Sequence, residues 1–257
     1  MIHFNKYQGT GNDFILIDDR QSRIRLGVSQ VQELCDRRFG IGADGLILIR
    51  NKDGFDFEML YYNSDGNIGS MCGNGGRCAV AFAHAIGIAQ TDSNFYAFDG
   101  PHKALVISNN PYRIRLQMSD VKFIETGEDF VFMNTGSPHY TVFVNDVKNF
   151  DIVAKGRAIR YNERFKSEGT NINFVEKCEG HLFVRTYERG VEDETLSCGT
   201  GVTAAALSAS ILGYVSGSES EMETPGGWLK VYYKRRNDGF EDVWLEGPAQ
   251  KVFEGVI

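Results

Sequence analysis

The sequence predicts an α+β protein built from two pseudo-symmetric domains that arose by internal duplication. The first observation is a Cys-Gly-polar-Gly box followed by an Ala-rich run and a glycine, which occurs at residues 70–87 and again at residues 196–213. The second is that the box cysteines lie 126 positions apart, while a Thr-Gly pair recurs 125 positions apart, at Thr10 and Thr135. The third is that strand-like runs precede both boxes in the same order. A shared spacing of this kind indicates a repeated structural unit.

The strand-like runs before the boxes are FDFEMLYY and GHLFVRTYE, and Asn63 and Arg189 each stand nine positions before their cysteine. The spacing places a domain boundary near Ser119, which gives an N-terminal half, 1–118, and a C-terminal half, 119–257. Halves of this length are typical of single domains. The last predicted strand, AQKVFEGVI, packs either on its own half or back on the first, and the sequence leaves both arrangements open.

The composition predicts a soluble globular protein. A chain of 257 residues with 42% hydrophobic content can bury a substantial core. The net charge is −7 and no basic stripe is present apart from the short KRR at residues 234–236, which argues against nucleic acid as the main partner. No apolar window is long enough for a membrane span, and no signal peptide is recognisable. We therefore expect a cytoplasmic protein without membrane partners.

Each box cysteine is predicted to lie at a helix N-terminus. The run from Val202 to Leu212 is rich in helix formers, Gly213 is placed to end it, and Cys198 precedes it. Cys72 stands in the same position before a run that ends at Gly87. Unpaired amides and the positive end of the helix dipole lower a thiol pKa there. The alternative is that these are small buried residues, as we expect for the other cysteines in helical patterns.

A bare G-x-G-x-x-G pattern, GIGADG, occupies residues 40–45. A dinucleotide site requires a strand before this pattern and a helix after it. Here a predicted helix, Ser29 to Phe39 with a Ser29/Gln32 capping box, precedes it and the strand-like LILIR follows. We interpret the glycines as a helix-to-strand turn.

Two helix-capping thiols that face each other across a cleft between the halves can invert a carbon centre. One thiolate removes a weakly acidic proton from one face while the other thiol returns a proton to the opposite face. The adjoining backbone amides of Gly73, Asn74, Gly199 and Thr200 form a site for a carboxylate and stabilise the carbanion-like transition state. The scattered histidines give no metal-ligand spacing, and no pyridoxal-type lysine site is recognisable, so we expect no metal and no cofactor.

Four stretches carry a resemblance to a known family: GTGNDFILID, YYNSDGNIGSMCGNGGR, TYERGVEDETLSCGTG, and SPH at Ser137 to His139. Together they resemble the diaminopimelate epimerase family. The resemblance implies that each half is a mixed β-sheet curled around a central helix. It further implies a cytoplasmic homodimer that converts the small amino-acid substrate LL-2,6-diaminopimelate into the meso form without cofactor, for lysine and peptidoglycan biosynthesis.

The resemblance also implies residue roles. Cys72 would donate a proton and Cys198 would accept one in the LL-to-meso direction, while His139 and Glu188 would tune the thiols. The substrate would be held by Asn12, Asn63, Asn171, Glu188 and Arg189, with Gly73, Asn74, Gly199 and Thr200 on the α-carboxylate side. Considered singly, these residues also fit structural roles as turn residues, a surface ion pair and a loop cap.

The sequence departs from the usual family pattern at three places. Ser137 replaces an asparagine, Gly45 replaces a glutamine found in many members, and the loop before Cys198 is about one residue longer. Three alternatives therefore stay open: a racemase of the same fold acting on histidine or proline, a thiol redox protein, and an anion-binding module without chemistry. An epimerase needs the substrate-binding residues, a redox protein does not, and an anion-binding module needs neither thiol.

Overall fold

The computed structural model describes all 257 residues and divides into two compact units. The first unit comprises Met1–Leu116 together with Gly247–Ile257, and the second comprises Gln117–Glu246. The C-terminal residues thus belong to the first unit. None of the α-helices combines the length and the apolar character that crossing a bilayer requires.

The first unit contains two α-helices and eight strands. The helices are α1 (Val28–Cys35) and α2 (Gly73–Ala85). The strands are β1 (His3–Gly9), β2 (Asn12–Asp18), β3 (Gly45–Arg50), β4 (Phe57–Asn63), β5 (Asp92–Ala97), β6 (Gly100–Asn109), β7 (Tyr112–Gln117) and β17 (Gln250–Val256). They form a mixed sheet in the order β17-β1-β2-β3-β4-β5-β6-β7. The pairs β2–β3 and β4–β5 are parallel and the others antiparallel.

The second unit has the same content with one additional short strand. Its helices are α3 (Ile152–Arg160) and α4 (Gly199–Ile211), and a short 3₁₀ helix spans Val147–Asn149. Its strands are β8 (Ile124–Thr126), β9 (Phe130–Asn134), β10 (Pro138–Phe143), β11 (Asn171–Lys177), β12 (Leu182–Glu188), β13 (Asp193–Thr195), β14 (Glu219–Thr224), β15 (Gly227–Arg236) and β16 (Gly239–Pro248). The sheet order is β8-β9-β10-β11-β12-β14-β15-β16, and β13 also pairs with β12.

Strand orientations repeat between the units. In the second unit β10–β11 and β12–β14 are parallel and the remaining neighbours antiparallel, which is the pattern of the first unit strand by strand. β17 occupies in the first unit the place that β8 occupies in the second. The internal duplication predicted from the sequence is therefore confirmed.

One helix in each unit is enclosed by its own sheet. Every α2 residue from Gly73 to Ala83 is buried, and α4 is buried from Gly201 to Ser210. The alanines of α2 pack among aromatic and aliphatic side chains of their sheet, and those of α4 do the same in the second unit. Small side chains allow strands to approach a helix from several sides, so an Ala-rich helix fits this central place. The predicted mixed sheet curled around a central helix is confirmed.

The predicted helix ends and strands match the structure closely. Gly87 and Gly213 follow α2 and α4 with φ angles of +76° and +72°, a left-handed conformation that glycine adopts without strain. The two strand-like runs form β4 and β12. These predictions succeeded because they depend on local periodicity and on glycine conformation.

The prediction for the first helix was wrong in its bounds and cap. α1 begins at Val28, one residue before the predicted Ser29, and its N-cap is Gly27, whose amide donates to the Gln30 side chain at 2.9 Å. It ends at Cys35, because the Asp36 carboxylate accepts the next free amides of the chain and closes a turn. Residues 40–44 then lead into β3, so the interpretation of GIGADG as a helix-to-strand turn is confirmed.

Candidate active site

Cys72 is the N-cap residue of α2 and has extended backbone angles, φ −95° and ψ 133°. Its carbonyl accepts the first helical hydrogen bond, from Gly76 N at 2.7 Å. The thiol is half-buried and donates to Asn12 Oδ1 at 3.7 Å. Cys72 therefore lies at the start of α2, where the unpaired first amides and the helix dipole favour negative charge.

The orientation of the Asn12 side chain is fixed by a carboxylate. Asn12 Nδ2 donates to Asp44 Oδ2 at 2.5 Å, which leaves Oδ1 facing Cys72 and, at 3.5 Å, the Asn74 amide. Asp44 in turn accepts from Arg37 at 2.6 Å. Asp44 belongs to GIGADG, so this motif contributes to the site the carboxylate that orients Asn12.

A buried arginine lies beneath the start of α2. The Arg77 side chain is fully buried and donates to Asn74 Oδ1 at 2.8 Å and to Thr10 Oγ1 at 3.1 Å. Its guanidinium also donates to the carbonyls of Gly73 and Pro248. Burial lowers the pKa of Arg77 to about 10, so the group remains cationic at neutral pH and its charge favours an ionised Cys72.

Asn63 ends β4 in a tight turn that leads toward Cys72. Its backbone amide donates to Asn67 O at 2.9 Å, and its side-chain nitrogen lies 3.0 Å from where a Cβ on Gly69 would be. A larger residue at position 69 would therefore displace Asn63. The structure thus places Asn63 near the loop that carries the first box.

Cys198 is the N-cap residue of α4, also with extended angles, φ −115° and ψ 111°. Its carbonyl accepts from Val202 N at 2.8 Å, and its sulfur lies 3.4 Å from Thr200 Oγ1. Thr135 Oγ1 donates to the Thr200 carbonyl at 2.8 Å. Its repeat counterpart Thr10 donates to the Asn74 side chain, so each Thr-Gly pair supports the first turn of its own central helix.

His139 is in strand β10 and not in a loop, and it is completely buried. Its Nε2 lies 2.9 Å from Thr200 Oγ1 and its Nδ1 lies 3.3 Å from Asn173 Nδ2. Burial lowers the pKa of His139 to about 3, so the imidazole is neutral. His139 therefore reaches Cys198 through the Thr200 hydroxyl.

Asn171 joins three parts of the second unit. Its Nδ2 donates to Ser137 Oγ at 2.8 Å and to Pro138 O at 3.0 Å, and its Oδ1 accepts from Arg189 N at 2.9 Å. The Arg189 side chain is exposed and donates to Glu168 O at 3.1 Å. Its guanidinium can therefore exchange this surface contact for an anionic ligand.

Glu188 lies at the end of β12 and accepts a hydrogen bond from Thr195 Oγ1 at 2.7 Å. Burial raises the pKa of Glu188, while the Thr195 hydroxyl acts in the opposite direction. Thr195 lies on β13, the short strand that leads into the second box. Glu188 is thus placed beside the segment that carries Cys198.

The remaining thiols have environments that oppose ionisation. Burial raises the pKa of Cys78 to about 12 and that of Cys35 to about 11, and it also raises the pKa of Cys178. Cys78 and Cys35 lie within the apolar clusters, as predicted. No group of three or more His, Cys, Asp or Glu side chains is arranged to hold a metal ion.

The structure gathers the predicted residues into two clusters, one per unit. The first contains Asn12, Cys72, Gly73 and Asn74 with Asn63 nearby, and the second contains His139, Asn171, Glu188, Arg189, Cys198, Gly199 and Thr200. Sequence reasoning missed four further members: Asp44, Arg77, Asn173, and Thr186, whose hydroxyl donates to Asn173 Oδ1. Asp44 and Arg77 stood within motifs already noted, whereas Asn173 and Thr186 gave no local signal.

Alignment with solved structures identifies the fold of this chain. The chain aligns over 100% of its length with a phenazine biosynthesis protein of the PhzF family from Bacillus anthracis, covering 99% of that chain at a TM-score of 0.77 and 14% identity. A probable proline racemase from Agrobacterium radiobacter aligns over 100% of this chain and 93% of its own, with a TM-score of 0.70 and 13% identity. At such identities the likeness establishes the fold.

Sequence relatives identify the family. The family model described as "Diaminopimelate epimerase" matches residues 4–124 and 131–252. The diaminopimelate epimerase of Flavobacterium psychrophilum is 49% identical over 254 residues, 98% of each chain. That of Chlorobaculum tepidum is 44% identical over 256 residues, 97% of this chain and 98% of its own. The chain belongs to the diaminopimelate epimerase family.

Proposed function

We propose that this chain is an isomerase that converts LL-2,6-diaminopimelate into meso-diaminopimelate without pyridoxal phosphate, and so serves lysine and peptidoglycan biosynthesis. One observation carries the proposal: each unit holds a cysteine at the N-terminus of its buried central helix, in a chain that matches the family along nearly its whole length. The reaction is a proton transfer at carbon with inversion of one stereocentre.

The two cysteines act as base and acid. In the LL-to-meso direction the Cys198 thiolate takes the α-proton and becomes a thiol, and the electron pair of the broken C–H bond delocalises into the substrate carboxylate. The Cys72 thiol then gives its proton to the opposite face of the carbon and becomes a thiolate. The reverse reaction exchanges these roles, and the pair titrates as a coupled system.

Backbone amides stabilise the charge that develops in this reaction. The helix N-termini present the amides of Gly73, Asn74, Gly199 and Thr200, which are fixed in place before substrate arrives. Donors aimed at a developing oxyanion are each worth roughly 3 kcal/mol in other enzymes. Several such donors on the α-carboxylate compensate for the weak acidity of the C–H bond.

The distal end of the substrate requires polar side chains away from the thiols. Arg189 can hold a carboxylate bidentately, and the amide groups of Asn63 and Asn171 can meet both the ammonium and the carboxylate. Asn12 contacts the substrate groups next to Cys72, and its hydrogen bond to Asp44, which holds the side chain in one orientation, supports this role. Glu188 and His139 lie at the second box and tune the protonation of the thiols.

The departures at Ser137 and Gly45 are compatible with this substrate. Ser137 accepts the Asn171 amide and so keeps a polar group in the site. A Cβ at Gly45 would lie 2.5 Å from Tyr61 Cε2, which shows that the Tyr61 ring fills the volume a larger residue would need. Relatives that share 34–49% identity with this chain are named diaminopimelate epimerases, which supports this substrate over histidine or proline.

The test is to incubate the reduced protein with LL-diaminopimelate in heavy water and to follow α-deuteration together with the stereoisomer ratio. We expect deuterium to enter as the meso form appears, and we expect Cys72→Ala and Cys198→Ala each to abolish conversion. Cys178→Ala, which removes a half-buried thiol outside the site, is the matched control and should retain activity. Exchange with histidine or proline alone would identify a racemase of the same fold. Thiol oxidation without any exchange would favour the redox alternative.

The family resemblance also leads us to propose a cytoplasmic homodimer. Apolar side chains exposed on the C-terminal strand support self-association, since Val252 is 56% and Val256 is 48% exposed. Sedimentation equilibrium tests the oligomeric state, with a mass near 28.7 kDa indicating a monomer. Cell fractionation tests the location.

A further inference from the structure

A row of buried polar side chains crosses the second unit beneath the start of α4. Strand register places Asn173 of β11 directly between Thr141 of β10 and Thr186 of β12. All three are at most 3% exposed, and His139 lies two positions before Thr141 on the same face of β10. A polar row in an otherwise apolar interior is stable only when every member is hydrogen-bonded, so its geometry is specified closely.

The hydroxyl of Thr186 orients the Asn173 amide. Thr186 Oγ1 donates to Asn173 Oδ1 at 3.0 Å, so the Nδ2 group points the other way. That nitrogen donates to Thr141 Oγ1 at 3.2 Å and approaches His139 Nδ1 at 3.3 Å. Because an amide NH₂ can only donate, it selects an unprotonated Nδ1.

The second nitrogen of the imidazole then carries the proton. A neutral histidine with an unprotonated Nδ1 has its hydrogen on Nε2, and Nε2 lies 2.9 Å from Thr200 Oγ1. Complete burial of His139 keeps the ring neutral, and the Arg189 charge at the end of β12 opposes protonation as well. His139 is therefore a donor to the Thr200 hydroxyl.

The Thr200 hydroxyl can donate one hydrogen bond. Since its oxygen accepts from His139, that hydrogen is available to Cys198 Sγ, 3.4 Å away. A hydroxyl that donates to sulfur favours thiolate over thiol, because hydrogen bonds to the ionised form stabilise it. The positive end of the α4 dipole and this hydroxyl thus act on the same sulfur.

We propose that Asn173 is a positioning residue that fixes the Nε2–H tautomer of His139, and that the Thr200 hydroxyl, ordered by this tautomer, donates its hydrogen to the Cys198 thiolate. This inference rests on the proposed function, since it explains how the proposed base is held ionised. It adds two roles that the backbone contacts of the second box do not provide: a side-chain donor to the sulfur and a residue that sets its direction. Glu188 is the other ionisable group at the end of β12, and its carboxylate accepts a hydrogen bond from the Thr195 hydroxyl.

The first test is ¹⁵N NMR of histidine-labelled protein without substrate. The signals of His139 are identified by their loss in His139→Gln, and we expect Nδ1 to show the unprotonated shift and Nε2 the protonated one. In Asn173→Asp the carboxylate can only accept, so Nδ1 should become protonated. Asn237→Asp makes the same change at an exposed turn and should leave the His139 signals unchanged.

The second test measures the reactivity of Cys198. In a Cys72→Ser background, the rate of alkylation by iodoacetamide is followed against pH, and the Cys198 peptide is quantified by mass spectrometry. We expect Thr200→Val to lower the rate at neutral pH about tenfold, as for loss of a hydrogen bond to an ionised group. Thr200→Ser keeps the hydroxyl and should restore the rate, and Thr200→Ala replaces Thr200→Val if the latter does not fold.

A protonated Nδ1 in the unmodified protein would overturn the role of Asn173, and this measurement needs no variant at that position. Equal alkylation rates in Thr200→Val and the parent would overturn the role of the hydroxyl. Both measurements are made without substrate, so they can fail while diaminopimelate is still epimerised. Conversely, they can succeed if epimerisation fails.

Discussion

Asp44 accepts the Asn12 amide at 2.5 Å and so turns the Asn12 carbonyl oxygen toward the Cys72 thiol. A carboxylate that holds an amide in one orientation decides which of its two ends meets the reacting groups. Without it, the Asn12 side chain can rotate and present its NH₂ group to the sulfur.

Asp44→Asn should therefore impair turnover. The variant keeps the shape of the side chain but replaces the carboxylate, which can only accept hydrogen bonds, with an amide. Loss of a charged hydrogen bond is worth about 1.5–3 kcal/mol, which lowers kcat/KM roughly 10- to 100-fold. Steady-state kinetics with LL-diaminopimelate measure this. Asp53→Asn, at an exposed loop position, serves as the control. Unchanged kcat/KM in Asp44→Asn would show that Asn12 is oriented by other contacts.

The third position of the helix after each box cysteine offers a matched pair of substitutions. A Cβ on Gly201 would lie 2.6 Å from Asn173 Oδ1, whereas one on Gly75 would lie 3.3 Å from the flexible end of Met59. We expect Gly201→Ala to lose about 1–3 kcal/mol of unfolding free energy through overpacking and to displace the buried polar row. Gly75→Ala should lose less. Urea unfolding and activity of both variants test this, and equal losses would contradict the close approach at Gly201.

The free energy of unfolding should decrease at acidic pH because of His139. Burial lowers its folded-state pKa to about 3, while an unfolded histidine titrates near pH 6.5. The native state therefore binds fewer protons, and the free energy of unfolding decreases as pH falls below about 6.5, by up to about 1.4 kcal/mol per pH unit. In His139→Gln this part of the slope should disappear. Exposed His3→Gln should keep it, and parallel curves for all three proteins between pH 7 and 4 would refute the assignment.

A buried ion pair in the first unit gives a fourth prediction. Lys6 Nζ lies 2.9 Å from Asp13, with the two side chains only 6% and 19% exposed. Although burial raises the pKa of Asp13, hydrogen bonds from Arg37 and Lys6 outweigh it and hold that pKa well below its usual range. Asp13→Asn should lower the free energy of unfolding by about 3–5 kcal/mol, because the buried Lys6 ammonium loses its carboxylate partner.

The double variant Lys6→Met with Asp13→Asn tests the reason for that loss. Removing both charges eliminates the stranded ammonium, so most of the lost unfolding free energy should return. Urea denaturation of the parent, Lys6→Met, Asp13→Asn and the double variant measures this coupling. Strictly additive losses would mean that the pair does not interact as the 2.9 Å contact indicates.

The sequence predicted the parts of the fold that depend on short-range pattern. The Ala-rich runs and their closing glycines gave both central helices, and the recurrence of the Cys-Gly box gave the duplication. The first helix was misplaced because Gly27 and Gln30 cap it, while Ser29 had the more usual capping residue type. Glycine N-caps leave a weaker signal in sequence.

The site was predictable where its residues lie in contiguous motifs. Asn12, Cys72 and Cys198 all belong to such stretches. Asn173 could not be found in this way, since its importance comes from strands β10 and β12 on either side, and register between distant strands has no local signature. A loop cap was the alternative structural role for His139, because it follows a proline, yet Pro138 is the first residue of strand β10.

The place of β17 beside β1 has a consequence for how the chain is made. Because β17 follows the second unit in the chain, the second unit can be synthesised in full while the first still lacks the strand that covers β1. Until residues 250–256 leave the ribosome, the nascent first unit exposes an unpaired strand edge, which is a site for misassociation between chains. The first unit therefore completes its sheet only after the second unit has been synthesised.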